Sequence, residues 1–150
     1  MRFKLFTVLV ATTALLGIGA QAASAKVPPQ QMSRFHAIEG PYSAADGKWT
    51  AGLEALSPKS TVAQVTKLDL AFIPALKTFD AGLLKVGFTG KAAADAAAIA
   101  KLNNQLIGVL SPVHSLKSFE TGFSALLPKF QVLQDSLAKD LGIPAGDVYI

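Results

Sequence analysis

The stretch LKTFDAGL, Leu76 to Leu83, returns as LKSFETGF, Leu116 to Phe123, with leucine, lysine, phenylalanine and glycine in the same places. Threonine exchanges with serine and aspartate with glutamate. A chain that repeats residue types at fixed spacing is repeating either a ligand motif or a packing unit, and the spacing favours packing. On a helix, Leu76, Phe79 and Leu83 share one face, as do Leu116, Phe119 and Phe123, so the apolar letters form a core stripe. The polar letters then read as solvent-side i,i+3 pairs, Lys77 with Asp80 and Lys117 with Glu120, worth at most about 0.5 kcal/mol each. Gly82 and Gly122 are harder to place, because glycine inside a helix costs about 1 kcal/mol relative to alanine. Two glycines set alike suggest close approach by another helix, with Gly82 facing the crowded aromatic run between Phe72 and Phe88. A third echo, Trp49-Thr50-Ala51-Gly52-Leu53, repeats the aromatic, the glycine and the apolar residue that follows it.

The rest of the chain extends the helical pattern. A first segment, about Gln31 to Leu56, carries Met32, Phe35, Ile38, Trp49, Leu53 and Leu56, and Gly40-Pro41 is expected to kink or split it. A second opens at Ser60 or Thr61, where Thr61 to Gln64 spells a capping box. Its stripe runs Val65, Leu68, Phe72, Leu76, Phe79, Leu83 and Val86; Pro74 predicts a bend near Leu70. Gly87 should supply a left-handed stop, with Phe88 folded back on Leu83. A third, alanine-rich segment spans Lys91 to Leu110 with Thr89 as its cap and Ile99, Leu102, Leu106 and Val109 as its stripe. A fourth opens at Ser111-Pro112 and carries Val113, Leu116, Phe119, Phe123, Leu126, Phe130, Leu133, Leu137 and Leu141, with Pro128 as a possible bend. Gly142, Ile143 and Pro144 end it. Only Val148-Tyr149-Ile150 has strand character. The expected fold is all-α, an up-down-up-down four-helix bundle with kinked helices.

The N-terminus reads as a cleaved signal peptide over residues 1–25: Arg2 and Lys4 precede an apolar run to Ala20, and Ala23-Ser24-Ala25 is a small-residue cleavage site. Residues 26–150 then form a single helical domain, expected to be secreted or extracytoplasmic, with no stable membrane span after processing. The chain has no cysteine, hence no disulfide and no lipid-accepting thiol; about 125 residues still bury more than about 60% of their unfolded surface. Without Arg2 and Lys4, twelve basic residues face ten acidic ones, a net of +2, and Arg34 is the one arginine left. That is poor material for bidentate phosphate or base recognition, so no nucleic-acid partner is expected.

Catalytic signatures are absent from the pattern. His36 and His114 have no zinc spacing; Met32 with His36, four apart, is a weak echo of haem or copper ligation. His114 reads as a partly exposed residue in the first turn of the fourth helix. Gly87-Phe88-Thr89-Gly90-Lys91 lacks the glycine spacing, the following hydroxyl and the preceding strand of a phosphate loop. Glu54, Asp69, Asp80, Asp95, Glu120, Asp135 and Asp140 stand singly, as on solvated helix faces, without the paired Glu-x-x-His motifs of a di-metal bundle. No enzyme and no cofactor is expected. If the repeat were instead a ligand motif, Trp49, Phe72, Phe79, Phe119 and Phe123 would line an apolar groove.

The segment FIPALKTFDAGLLKVGFTGKAAADAAAIAKLNNQL, Phe72 to Leu106, and the closing LAKDLGIP, Leu137 to Pro144, resemble a group of small exported all-helical proteins of actinobacteria, many of them lipoproteins. The resemblance implies export and a helical fold, and it brings no catalytic residues. The missing lipobox cysteine sets this chain apart from the lipidated members. The functional expectation is a secreted or cell-envelope-associated helical interaction protein with an envelope protein or polymer as partner. The alternative is a carrier that holds a small apolar ligand, lipid or haem, between its helices.

Overall fold

The computed structural model describes residues 27–57, 59–144, 147 and 148. The expected signal peptide and its cleavage site lie outside the described residues, as do Tyr149 and Ile150. Four helices follow in order: α1 (Pro29–Glu54), α2 (Val62–Leu83), α3 (Gly90–Leu110) and α4 (Leu116–Leu141). Consecutive helices pack against each other, as an up-down bundle requires. Among the described residues, no helix is long and apolar enough to cross a membrane.

Three prolines, Pro41, Pro74 and Pro128, sit inside helices without ending them. A proline ring removes one donor and orphans the carbonyl one turn back. All three are exposed, so that carbonyl lies on the watered side of its helix. At Pro41 the preceding residue is Gly40, which has no Cβ to clash with the ring, so the usual helix stop does not act. The expected split of α1 therefore does not occur. At Pro74 the Thr78 hydroxyl donates to the Pro74 carbonyl at 2.9 Å.

Local signals fix most of the ends. Gln64 N–H donates to the Thr61 hydroxyl at 3.4 Å, and Thr61 N–H donates to the Gln64 side chain at 2.8 Å, closing the capping box read from the sequence. Thr61→Ala is expected to lower stability by about 1 kcal/mol, measured as a fall in urea midpoint at unchanged helical content. Gly142 takes φ +71°, with Gly142 N–H bonded to the Lys139 carbonyl at 3.2 Å and Ile143 N–H to Ala138 at 3.1 Å, a full Schellman stop.

Two ends differ from expectation. Helix α4 begins at Leu116 and not at Ser111-Pro112: the Ser111–Pro112 bond is cis, and Ser115 makes the cap, accepting from Ser118 N–H at 3.0 Å. Val113 is buried ahead of the helix and His114 is exposed there, outside the helical first turn. Helix α2 ends at Leu83, before Gly87, whose φ of +86° turns the connection to α3. Phe88 packs on Phe35 of α1, ring centres 6.0 Å apart. Gln31 Nε2 donates to the Gly87 carbonyl at 2.6 Å and Arg34 to that of Val86 at 3.5 Å, so the start of α1 holds the connection that follows α2.

The pairing of α1 with α2 is an antiparallel register that can be followed from end to end: Gln31 with Gly87, Arg34 with Val86, Ile38 with Gly82, Tyr42 with Phe79, Trp49 with Phe72, Gly52 with Leu68. The glycines of the repeat lie at such crossings. A methyl at Gly52 would meet Leu68, one at Gly82 would meet Ile38, and one at Gly122 would meet Val109 of α3. Gly82 thus faces α1, not the aromatic run of α2. Each helix of the first pair places a glycine near its C-terminus against a branched side chain near the other's N-terminus.

Candidate functional site

The five residues read as a candidate groove do come together, with Tyr42 added. Tyr42 lies against Phe79 with ring centres 4.5 Å apart and against Phe72 at 5.9 Å. Trp49 stacks on Phe72 at 4.8 Å and meets Phe123 edge-on at 5.6 Å, and Phe123 stacks on Phe119 at 5.9 Å. Trp49, Phe72 and Phe79 are buried, while Phe119 and Phe123 are half-buried. The result is a continuous aromatic column running from α2 through α1 to α4. Its rings contact one another, so a ligand between these helices must displace at least one of them. Aromatic pairs of this kind contribute about 0.5–1.5 kcal/mol beyond their burial.

Beside the column lie carboxyls that the sequence pattern assigned to solvated faces. Asp69 is fully buried and accepts from Trp49 Nε1–H at 2.8 Å; its second oxygen, Oδ2, is buried without a partner. Asp80, the acid of LKTFDAGL, is buried too. It accepts from Asn103 Nδ2–H at 2.6 Å, and so is not the solvent-side partner of Lys77. Asn103 is fully buried, and its carbonyl oxygen has no donor. Burial pushes both carboxyls up to about 6, against the smaller opposing effect of the Trp49 and Asn103 hydrogen bonds. Burial also raises Asp46, and it raises Tyr42, which feels Asp46 and Asp80 as well. Neither Tyr42 nor Asp46 was singled out in the sequence, because each stands alone there and only the α1–α2 register joins them to Asp80.

A second polar cluster joins the start of α3 to the end of α4. Lys91 Nζ donates to Asp95 at 2.8 Å, to Asp140 at 3.3 Å and to the Ser136 hydroxyl. A serine beside a lysine invites comparison with a nucleophile and its base, but a base must shed its proton near neutrality. Here hydrogen bonds and charge from Asp95 and Asp140 raise Lys91. Asp95 is lowered: burial opposes its charge, and Lys91, Ser136 and Asp140 outweigh burial. The cluster has the electrostatics of a clamp, with Lys91 fixed as a cation and its hydroxyl neighbour unactivated.

The remaining sequence candidates disperse. His36 is exposed and its Nδ1 pairs with Glu39 at 3.1 Å, while Met32 packs against the core. Among the described residues no group of three or more His, Asp or Glu side chains could hold a metal ion. Gly87 and Gly90 turn the α2–α3 connection around the buried Phe88.

On the outside, a shallow groove of about 560 Å³ follows the α3–α4 seam. Ala98, Leu102, Pro128, Val132 and Leu133 line it together with Lys101, Gln105 and Lys129. Val132 is 67% exposed, and neither lysine takes part in any ion pair found among the described residues. Compared with known proteins, the chain matches no family model, no curated protein and no solved structure.

Proposed function

We propose that the chain is an exported, cell-envelope-associated helical interaction protein whose α3–α4 seam receives a carboxylate-bearing helix of another envelope protein. Export rests on the n-region, apolar run and Ala23-Ser24-Ala25 of the first 25 residues. The observation that carries the interaction is the seam itself: the exposed Pro128 and Val132 lie between two lysines that form no ion pair among the described residues. An amphipathic helix lays apolar residues into such a groove, and carboxylates at its edges complement Lys101 and Lys129. A second copy of the same face is a poorer occupant, since a two-fold pairing sets these lysines against each other. The competing carrier function, with lipid or haem between the helices, requires the aromatic column to open.

A photo-crosslinker placed at Val132 of the exported protein is expected to capture one protein partner. The double variant Lys101→Glu, Lys129→Glu should lose that adduct while keeping its helical spectrum and melting temperature. An adduct that survives charge reversal would remove the seam from the interaction. Stoichiometric lipid or haem found by mass spectrometry in the purified protein would favour the carrier instead, and an adduct with a wall polymer would replace the partner named here.

A further inference from the structure

We propose that Asp80 and Asn103 form a proton-operated clasp between α2 and α3, in which one proton taken up on Asp80 Oδ2 closes a two-bond carboxylic acid–amide ring and tightens the bundle in mildly acidic surroundings. Half of the ring is already in place: Asn103 Nδ2–H donates to Asp80 Oδ1 at 2.6 Å. The other half has an acceptor waiting, because Asn103 Oδ1 is buried and has no donor. A carboxylate cannot supply one, since both of its oxygens only accept; a carboxylic acid can. Protonation therefore satisfies an orphaned carbonyl and removes a buried charge in a single step. Unsatisfied buried polar groups are rare in folded proteins and costly, so an orphan beside a group able to change its donor count points to that change.

Among the described residues no ion pair joins Asp80 to a cation, and Lys77, three residues before it, is exposed. From α1 it faces Tyr42, with Asp46 beyond, and from α3 it faces Asn103. The only charge among these is another carboxylate. Asp69 repeats the situation on the α1–α2 interface, where it faces Trp49, keeps Oδ2 without a partner and is fully buried. The direction of the response follows from linkage. Both carboxyls sit at about 6 when folded, above the ordinary 3.8, so the folded state holds the proton more tightly. Stability is greatest below the unfolded value and is lost as pH rises through about 6.

Urea unfolding of the purified protein between pH 7.5 and 5 tests this. Each carboxyl should raise the folded-to-unfolded ratio about tenfold over that range, about a hundredfold together. Asp80→Asn places a permanent donor where the proton would sit. It should keep the fold, match or exceed the wild type at pH 7.5, and lose the roughly tenfold share of the response that belongs to Asp80, leaving the share of Asp69 and of Asp46, which burial also raises. Adding Asp69→Asn should flatten the dependence further. Infrared spectra of carbon-13 aspartate-labelled wild type provide a readout that needs no variant to fold: a protonated-carboxyl band should grow from pH 7.5 to 5, and part of it should vanish in Asp80→Asn. An unchanged pH response in Asp80→Asn, or no protonated carboxyl at pH 5, overturns the clasp.

Discussion

Replacing Phe79 with alanine is expected to lower the stability of the bundle by about 3–5 kcal/mol, the range for deleting a buried aromatic whose neighbours cannot collapse into the space. Phe79 is 1% exposed, lies 4.5 Å from the Tyr42 ring, and carries the column from α2 to α1. Removing it takes packing from Tyr42 and, through Tyr42, from Phe72. Against a typical total of about 5–15 kcal/mol for a domain of this size, the variant would sit near the edge of folding. Phe119, the counterpart in the second copy of the repeat, should behave differently. The sequence makes the two phenylalanines equivalent, but Phe119 is only half-buried and stacks on an equally half-buried Phe123. Part of the space it leaves opens to water, so Phe119→Ala should cost clearly less. Paired urea titrations decide the matter: equal losses at the two sites would mean that α4 is seated as deeply as α2.

That asymmetry marks where sequence periodicity stops being informative. Helix number, the Thr61 cap and the Gly142 stop were legible because each depends on residues within one or two turns. The expected α2 stripe included Leu68, which is half-buried, whereas Val65, Asp69, Phe72, Ile73, Leu76, Phe79, Asp80 and Leu83 are the residues that go inside. From Val65 to Phe72 both Leu68 and Asp69 fit helical spacing, three then four or four then three. The period alone does not choose between them, and the apolar residue is the natural choice, so Asp69 reads as solvated. Asn103, between Ile99 and Leu106 on α3, was hidden in the same manner. A polar residue in a buried stripe is admitted by a partner on a different helix, Trp49 for Asp69 and Asp80 for Asn103, and such partnerships depend on tertiary register. The same holds for the α3–α4 seam, where Lys101 and Lys129 stand apart in sequence and flank one groove only after the helices pair. The repeat made legible that Trp49, Phe79 and Phe119 hold corresponding places on three helices. The presence of Tyr42 among them was not legible, because α1 was expected to break or kink just before it.

The glycines of the repeat offer a test in which helix propensity and packing have opposite signs. On an exposed face Gly82→Ala would stabilise the protein by up to about 1 kcal/mol through propensity and a less flexible unfolded chain. At the α1–α2 crossing the new Cβ would instead lie 2.7 Å from Ile38 Cγ2 and 3.3 Å from Ile38 Cβ, inside van der Waals contact. Isoleucine on a helix has essentially one χ1 rotamer, so Cγ2 cannot swing away and the helices must separate. Overpacking of this kind costs about 1–3 kcal/mol, and net destabilisation is the expected result. Gly52→Ala provides the contrast: its close contact is Leu68 Cδ2 at 2.6 Å, the mobile end of a half-buried side chain, so its loss should be small or absent. Gly122→Ala falls between, since Val109 is also β-branched but its methyls lie slightly farther off, at 2.9 and 3.0 Å. The cause can be isolated by a double-mutant cycle. Ile38→Leu moves the branch one carbon outward and removes the offending methyl, so Gly82→Ala should be better tolerated in that background than in the wild type. A rise in the urea midpoint of Gly82→Ala alone, or a cycle with no coupling between positions 38 and 82, would mean that the repeated glycine does not mark a helix crossing.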